Sequence, residues 1–137
     1  MVSIIYAKFL YAGIEGEKPD RFMMVGFADD EFNANEYLML QKTLEMDEQD
    51  SRGMNKVYIE INDQRFSHYG GILKVSLGND SLEITLSPSV AQIINSAQHV
   101  YVKFPKNHEQ LSEVRSYLKR MFTEETDVFT DNTHDIQ

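Results

Sequence analysis

Several short runs of this chain alternate apolar with polar residues. In KVYIEIND, residues 56–63, Val57, Ile59 and Ile61 point one way and Tyr58, Glu60 and Asn62 the other. That is the period of a half-buried strand, and it turns Tyr58 and Glu60 toward solvent or a partner. GILKVSL and SLEITL, 71–77 and 81–86, repeat the alternation around Gly78-Asn79-Asp80, residues that tolerate positive φ and suit a hairpin. SIIYAKFLY (3–11) and RFMMVGFA (21–28) are β-prone apolar runs joined by AGIEGEKPD, which predicts a hairpin with a long loop. HVYVKF (99–104) is a further strand. EYLMLQKTLEM (36–46) is ambiguous, because its composition favours helix while Tyr37, Met39 and Gln41 alternate with Leu38, Leu40 and Lys42.

Two segments carry helical signals. Ser87-Pro88 places an N-cap and a first-turn proline before a short helix near 88–95, with Val90, Ile93 and Ile94 as its buried stripe. In NHEQLSEVRSYLKRMF (107–122), Leu111, Val114, Leu118, Met121 and Phe122 share one face of an amphipathic helix that Asn107 is placed to cap. Beyond Thr123 there is no periodicity. The expected architecture is α+β: a mainly antiparallel twisted sheet with both helices on one face, residues 1–123 as a single domain, and 124–137 as an acidic, flexible tail.

Composition supports a folded chain, since 137 residues suffice for one core and a 42% hydrophobic fraction is too apolar for disorder. The net charge of −9 excludes a sequence-independent nucleic-acid binder, which needs clustered Lys and Arg, and favours a basic partner. The acidity is regional: residues 29–50 hold eight carboxylates against Lys42 alone, and 124–137 hold five with no Lys or Arg. A regional field of this kind can steer a partner. The absence of cysteine removes disulfides, thiolate metal sites and cysteine nucleophiles, and fits a reducing cytoplasm. Neither a signal peptide nor a membrane-spanning run is recognisable.

Chemistry-bearing motifs are sparse. His68, His99, His108 and His134 have no metal-ligand spacing, so no metal site or cofactor is expected. DEQDSRGMN (47–55) has the composition of a calcium loop but fails its register, which wants Gly at the sixth position and Glu at the twelfth. Counted from Asp47, those positions hold Arg52 and Tyr58. Phosphate-cradling and nucleophile-elbow motifs are missing. Glu60 and Asp63 are the candidate carboxylate pair for acid–base work. Gly70-Gly71 read as scaffold, a place for positive φ or close backbone approach, with Tyr69 packed over them.

An ordered set of short motifs is more specific than any of these. Tyr37-Leu38-Met39-Leu40-Gln41, Asp47-Glu48-Gln49-Asp50, Gly53-Met54, Tyr58-Ile59-Glu60, Asp63-Gln64 and Tyr69-Gly70-Gly71 together resemble the immunity protein 10 family of bacterial polymorphic toxin systems, most closely over 35–77. The resemblance implies that EYLMLQKT is a strand pairing near KVYIEIND, with DEQDSRGMN as the connection. It also implies a protein that catalyses nothing and neutralises a toxin domain delivered by contact-dependent or related secretion. The expected partner is a cognate toxin domain, basic and drawn from classes that include nucleases, with a homodimer left open and no nucleic acid or membrane involved. The candidate toxin-binding residues are Asp47, Glu48, Asp50, Tyr58, Glu60, Asp63 and Tyr69. A small acidic enzyme and a structural homo-oligomeric module are the competing readings.

Overall fold

The computed structural model describes residues 1–44 and 56–136, and among them the chain forms ten strands and two helices. In order these are β1 (Val2–Tyr6), β2 (Phe9–Glu15), β3 (Phe22–Ala28), β4 (Tyr37–Thr43), β5 (Tyr58–Ile61), β6 (Asp63–Tyr69), β7 (Ile72–Leu77), β8 (Ser81–Leu86), α1 (Pro88–Ile93), β9 (His99–Lys103), α2 (Leu111–Met121) and β10 (Phe129–Asp131). The class is α+β, but the expected single sheet is two five-stranded sheets, ordered β1-β9-β8-β7-β10 and β2-β3-β4-β5-β6. The break falls inside the apolar run 3–11. Ala7 N–H donates to Lys103 of the first sheet at 2.8 Å, and Lys8 N–H donates to Ala28 of the second at 2.8 Å. One step along the backbone therefore carries the chain from one sheet to the other.

Pairing is antiparallel throughout the second sheet. In the first sheet β1 and β10 run parallel to β9 and β7, so both edges of that sheet are parallel additions to an antiparallel centre. EYLMLQKT is a strand, as the family resemblance implied against helical propensity. Leu38, Leu40 and Lys42 take one face, and Leu38 and Leu40 pair with Ile61 and Ile59 of β5.

The inward residues of both sheets and α2 share one core. Val25, Leu38, Leu40 and Ile59 of the second sheet and Val75, Leu77, Leu82 and Val102 of the first are fully buried. All five residues of the expected α2 stripe are buried with them, each contributing about 1.5–3 kcal/mol of apolar burial. α2 lies against β2 and β3. It closes the inner face of the second sheet and leaves the outer face open.

Local signals held where short-range geometry decides. Ser87 caps α1, its hydroxyl accepting from Val90 N–H at 3.3 Å. Val90, Ala91 and Ile94 form the buried arc, whereas Ile93, expected in it, is 51% exposed. A single six-residue helix buries only the residues that meet the core. Asn107 does not cap α2: it adopts left-handed φ of 60° in the preceding turn, and His108 Nδ1 accepts from Gln110 N–H at 3.0 Å just before the helix begins. Gly70 and Gly71 both have left-handed φ, and a Cβ on Gly71 would stand 2.8 Å from Val90 Cβ, so α1 packs directly on the glycine backbone.

The segment after Thr123, which shows no periodicity, carries β10. Phe129 stacks on Phe122 at 6.3 Å, and Asp131 accepts from Thr133 and meets Lys119 at 3.3 Å. Three residues are too few to display a period, so only their long-range contacts mark them as a strand. No helix among the described residues is long and apolar enough to cross a membrane.

Candidate functional site

Because every second residue of a strand points the same way, the outer face of the second sheet can be read as rows across it. One row runs Tyr11, Gly26, Met39, Glu60, Ser67 from β2 to β6. The next runs Gly13, Met24, Gln41, Tyr58, Tyr69, and a third begins Phe9, Ala28, Tyr37. The face is thus built largely of aromatics, methionines and glycines, with Gln41 and Ser67 among them, Glu60 near its centre and Glu15 at the end of β2. Phe9, Tyr11 and Tyr69 are exposed large side chains on it.

Glu60 is the correction that matters most to the site. Alternation directed it to solvent or a partner; it is 7% exposed and the single buried charged residue among those described. Its strand is interior, between β4 and β6, so the outward position is walled by neighbours on both sides. Both oxygens are engaged: Tyr58 donates to Oε1 at 2.6 Å, and the Tyr37 hydroxyl donates to Oε2 in a short hydrogen bond. Two phenol donors offset the cost of removing a carboxylate from water. Burial, then the bond to Glu60, raises the Tyr37 hydroxyl well above the usual phenol range, and the same causes push Tyr58 up to about 12. Both phenols stay protonated at neutral pH and act as donors.

The other proposed contact residues are distributed around this node. Tyr69 packs its ring on Tyr58 with centroids 5.0 Å apart and planes at 55°, at the mouth of a cleft of about 610 Å³ that continues past Gly70 and Gly71. Asp63 opens β6 and forms a two-pronged pair with Arg65, at 3.1 Å to each oxygen. That hydrogen-bonded guanidinium, together with the Arg65 backbone N–H, lowers its carboxyl. Glu60 and Asp63 therefore sit in different environments with different partners, which is not the arrangement of a paired acid and base. Asp47, Glu48 and Asp50 lie outside the described residues.

Other residues of the face were not singled out from sequence. Gly26 lies on the outward side of β3, and a Cβ built on it would meet nothing within 4 Å. It floors a concavity of about 520 Å³ walled by Phe9, Tyr11, Met24, Tyr37 and Met39. The β3–β4 loop rises beside it and presents Phe32 at 85% exposure. Its own acids shape that loop: Asp30 accepts from Phe32 and Asn33 N–H at 3.0 Å, and Asp29 accepts from Asn35 and Glu36 N–H at 3.0 and 3.2 Å. Those backbone bonds hold the Asp30 carboxyl below its usual range. FMMVGFA is apolar on both sides of the strand; Met23, Val25 and Phe27 are buried in the core, while Met24, Gly26 and Ala28 are half-buried on the outer face.

A family model described as immunity protein 10 matches residues 9–112. The match spans the whole second sheet, reaches further toward the N-terminus than the motifs at 35–77, and ends at the start of α2. The chain belongs to that family. No curated protein and no solved structure matches it.

Proposed function

We propose that this member of the immunity protein 10 family binds a cognate toxin domain one to one, in the cytoplasm, and blocks it without performing a reaction on it. The family match over 9–112 is the observation that carries this reading. Toxins delivered by contact-dependent or related secretion include enzymes of nucleic acid, which are basic, and a chain of net charge −9 suits such a partner. Long-range attraction raises the association rate, while buried anchors at the centre of the interface set the lifetime of the complex.

Within this reading, Asp47, Glu48 and Asp50 steer the approach, and Tyr58, Tyr69 and Asp63 contact the toxin. Glu60 acts one step back, fixing the Tyr37 and Tyr58 rings through their hydroxyls. An enzyme using Glu60 as a proton carrier is disfavoured, because both oxygens are already committed to phenols.

The test is a calorimetric and kinetic titration against the toxin domain encoded beside this chain, at low and near-physiological salt. Tight one-to-one binding with an on-rate that falls as salt rises is expected. Absence of binding at both salts removes the toxin-binding reading, and a salt-independent on-rate removes electrostatic steering.

A further inference from the structure

Gly26 occupies an unusual place. It faces outward on β3, its cross-strand partners are Tyr11 and Met39, and Met24 and Ala28 flank it along the strand. A bare glycine in an antiparallel sheet is commonly covered by an aromatic ring from the neighbouring strand. Here Tyr11, the neighbour able to do so, turns the other way. Its ring lies over Gly13 of its own strand, with Cζ 3.1 Å from where a Cβ on Gly13 would stand, and its hydroxyl donates to Glu15 at 2.7 Å. On the opposite side the Tyr37 hydroxyl is held by Glu60. Both phenols that wall the Gly26 concavity are thus tied to carboxylates, and the floor stays open.

The rim has a consistent chemistry. Phe32 stands exposed at the edge of the concavity, and the loop that carries it, between Ala28 and Tyr37, contains four carboxylates and no Lys or Arg. Lys8 acts on this loop through Asp30. An apolar pit with an acidic rim matches a side chain that is apolar at its tip and flanked by basic residues. A second copy of this chain is a poor occupant, because pairing through this face would set the acidic loops of two chains of charge −9 against each other.

Resting on the toxin-binding reading, we infer that the pit over Gly26 is the anchor socket for the toxin: it takes one aromatic or long aliphatic side chain that the toxin presents beside Lys or Arg. Phe32 closes over that side chain, and Asp29, Asp30, Glu31 and Glu36 meet the flanking cations. The socket lies within residues 9–112, whereas the first-sheet edge strands β1 and β10 lie outside that span.

Gly26→Val fills the socket without disturbing the fold, since its Cβ enters open space and the position is ordinary strand. The experiment compares wild type, Gly26→Val, Phe32→Ala and a remote control, Leu73→Ser on β7, for binding to the toxin domain encoded beside this chain. Thermal melting and sedimentation of each protein alone accompany it. The expected result is a dissociation constant raised about tenfold or more by Gly26→Val and by Phe32→Ala, an unchanged one for Leu73→Ser, and a Gly26→Val melting temperature no lower than wild type. Wild-type binding with equal affinity for Gly26→Val overturns the socket and leaves the toxin-binding reading standing. Should Gly26→Val fail to fold, equal affinity for Phe32→Ala overturns it instead. No binding by wild type removes both readings together. A wild-type dimer that Gly26→Val dissociates overturns the choice of occupant.

Discussion

Tyr58 and Glu60 stand two residues apart on the same face of β5, and the phenol of one donates to the carboxylate of the other at 2.6 Å. With Tyr37 donating to the second oxygen, three side chains from two strands form a hydrogen-bonded unit in the middle of the outer face. The unit fixes two aromatic rings at the price of burying one charge.

Removing that charge should loosen the face. Glu60→Ala leaves two partly buried hydroxyls without their acceptor and is expected to cost about 1–3 kcal/mol of stability. Glu60→Gln, which keeps one carbonyl acceptor, should cost less. Urea unfolding of the two variants checks this, and equal stability of wild type and Glu60→Ala would show that the network contributes nothing.

The same phenols set an alkaline limit. Tyr37 and Tyr58 titrate higher in the folded chain than the ordinary phenol value of 10. The folded state therefore holds protons that the unfolded state releases, and stability is full below pH 10 and declines as pH rises toward about 12. Phenolate absorbance followed alongside circular dichroism should show ionisation of these two groups coinciding with loss of structure. Tyr37→Phe should remove part of that pH dependence.

Gly70 and Gly71 both have left-handed φ but different surroundings. At Gly70 a Cβ would meet Lys56 at an ordinary 3.6 Å, so Gly70→Ala carries only backbone strain, about 1–2 kcal/mol. At Gly71 the new carbon would collide with Val90 of α1, adding about 1–3 kcal/mol of overpacking. Gly71→Ala is thus expected to be the more destabilising in thermal melting, and Gly71→Ala/Val90→Ala should recover part of the difference.

Asp131 ties β10 to α2. Burial pushes its carboxyl up, but hydrogen bonds from Thr133 and the Lys119 ammonium outweigh that, so its net shift is downward. A lowered folded value gives stability that is present above the usual carboxylate range, near pH 4, and is lost as pH falls through the folded value. The hydrogen-exchange protection of Asn132, whose N–H donates to Leu77 at 2.8 Å, measured against the intrinsic rate at each pH, should fall in that acid window. Asp131→Ala should show the lowered protection already at neutral pH.

Asp47, Glu48 and Asp50, proposed above to steer the toxin, can be tested apart from the socket. Reversing Asp47, Glu48 and Asp50 together to Lys is expected to slow association and flatten its salt dependence. Stopped-flow association with the toxin domain reads this directly. Full protection of cells by the triple variant would remove this segment from the interface.

How much of this was legible in the sequence differs from residue to residue. Val57, Ile59 and Ile61, the five apolar positions of the α2 stripe, and Ser87 at the N-cap of α1 were readable because each signal is completed within a few residues. EYLMLQKT was legible only through its resemblance to a family, since its propensity pointed to helix. Glu60 was misread because alternation assigns a face without saying what covers it. Gly26 and Phe32 carried no motif, and β10 was too short to show a period.

Sequence alone determined the class of the molecule, most of its strands, both helices, its family and its regional acidity, because backbone periodicity, capping and charge are local or additive properties. Tertiary structure decided the rest. Which strands become neighbours depends on contacts between residues far apart in the chain, and so does the split into two sheets at Ala7 and Lys8. Whether an outward side chain is solvated, as Asp63 is, or enclosed by phenols, as Glu60 is, depends on what the neighbouring strands place over it.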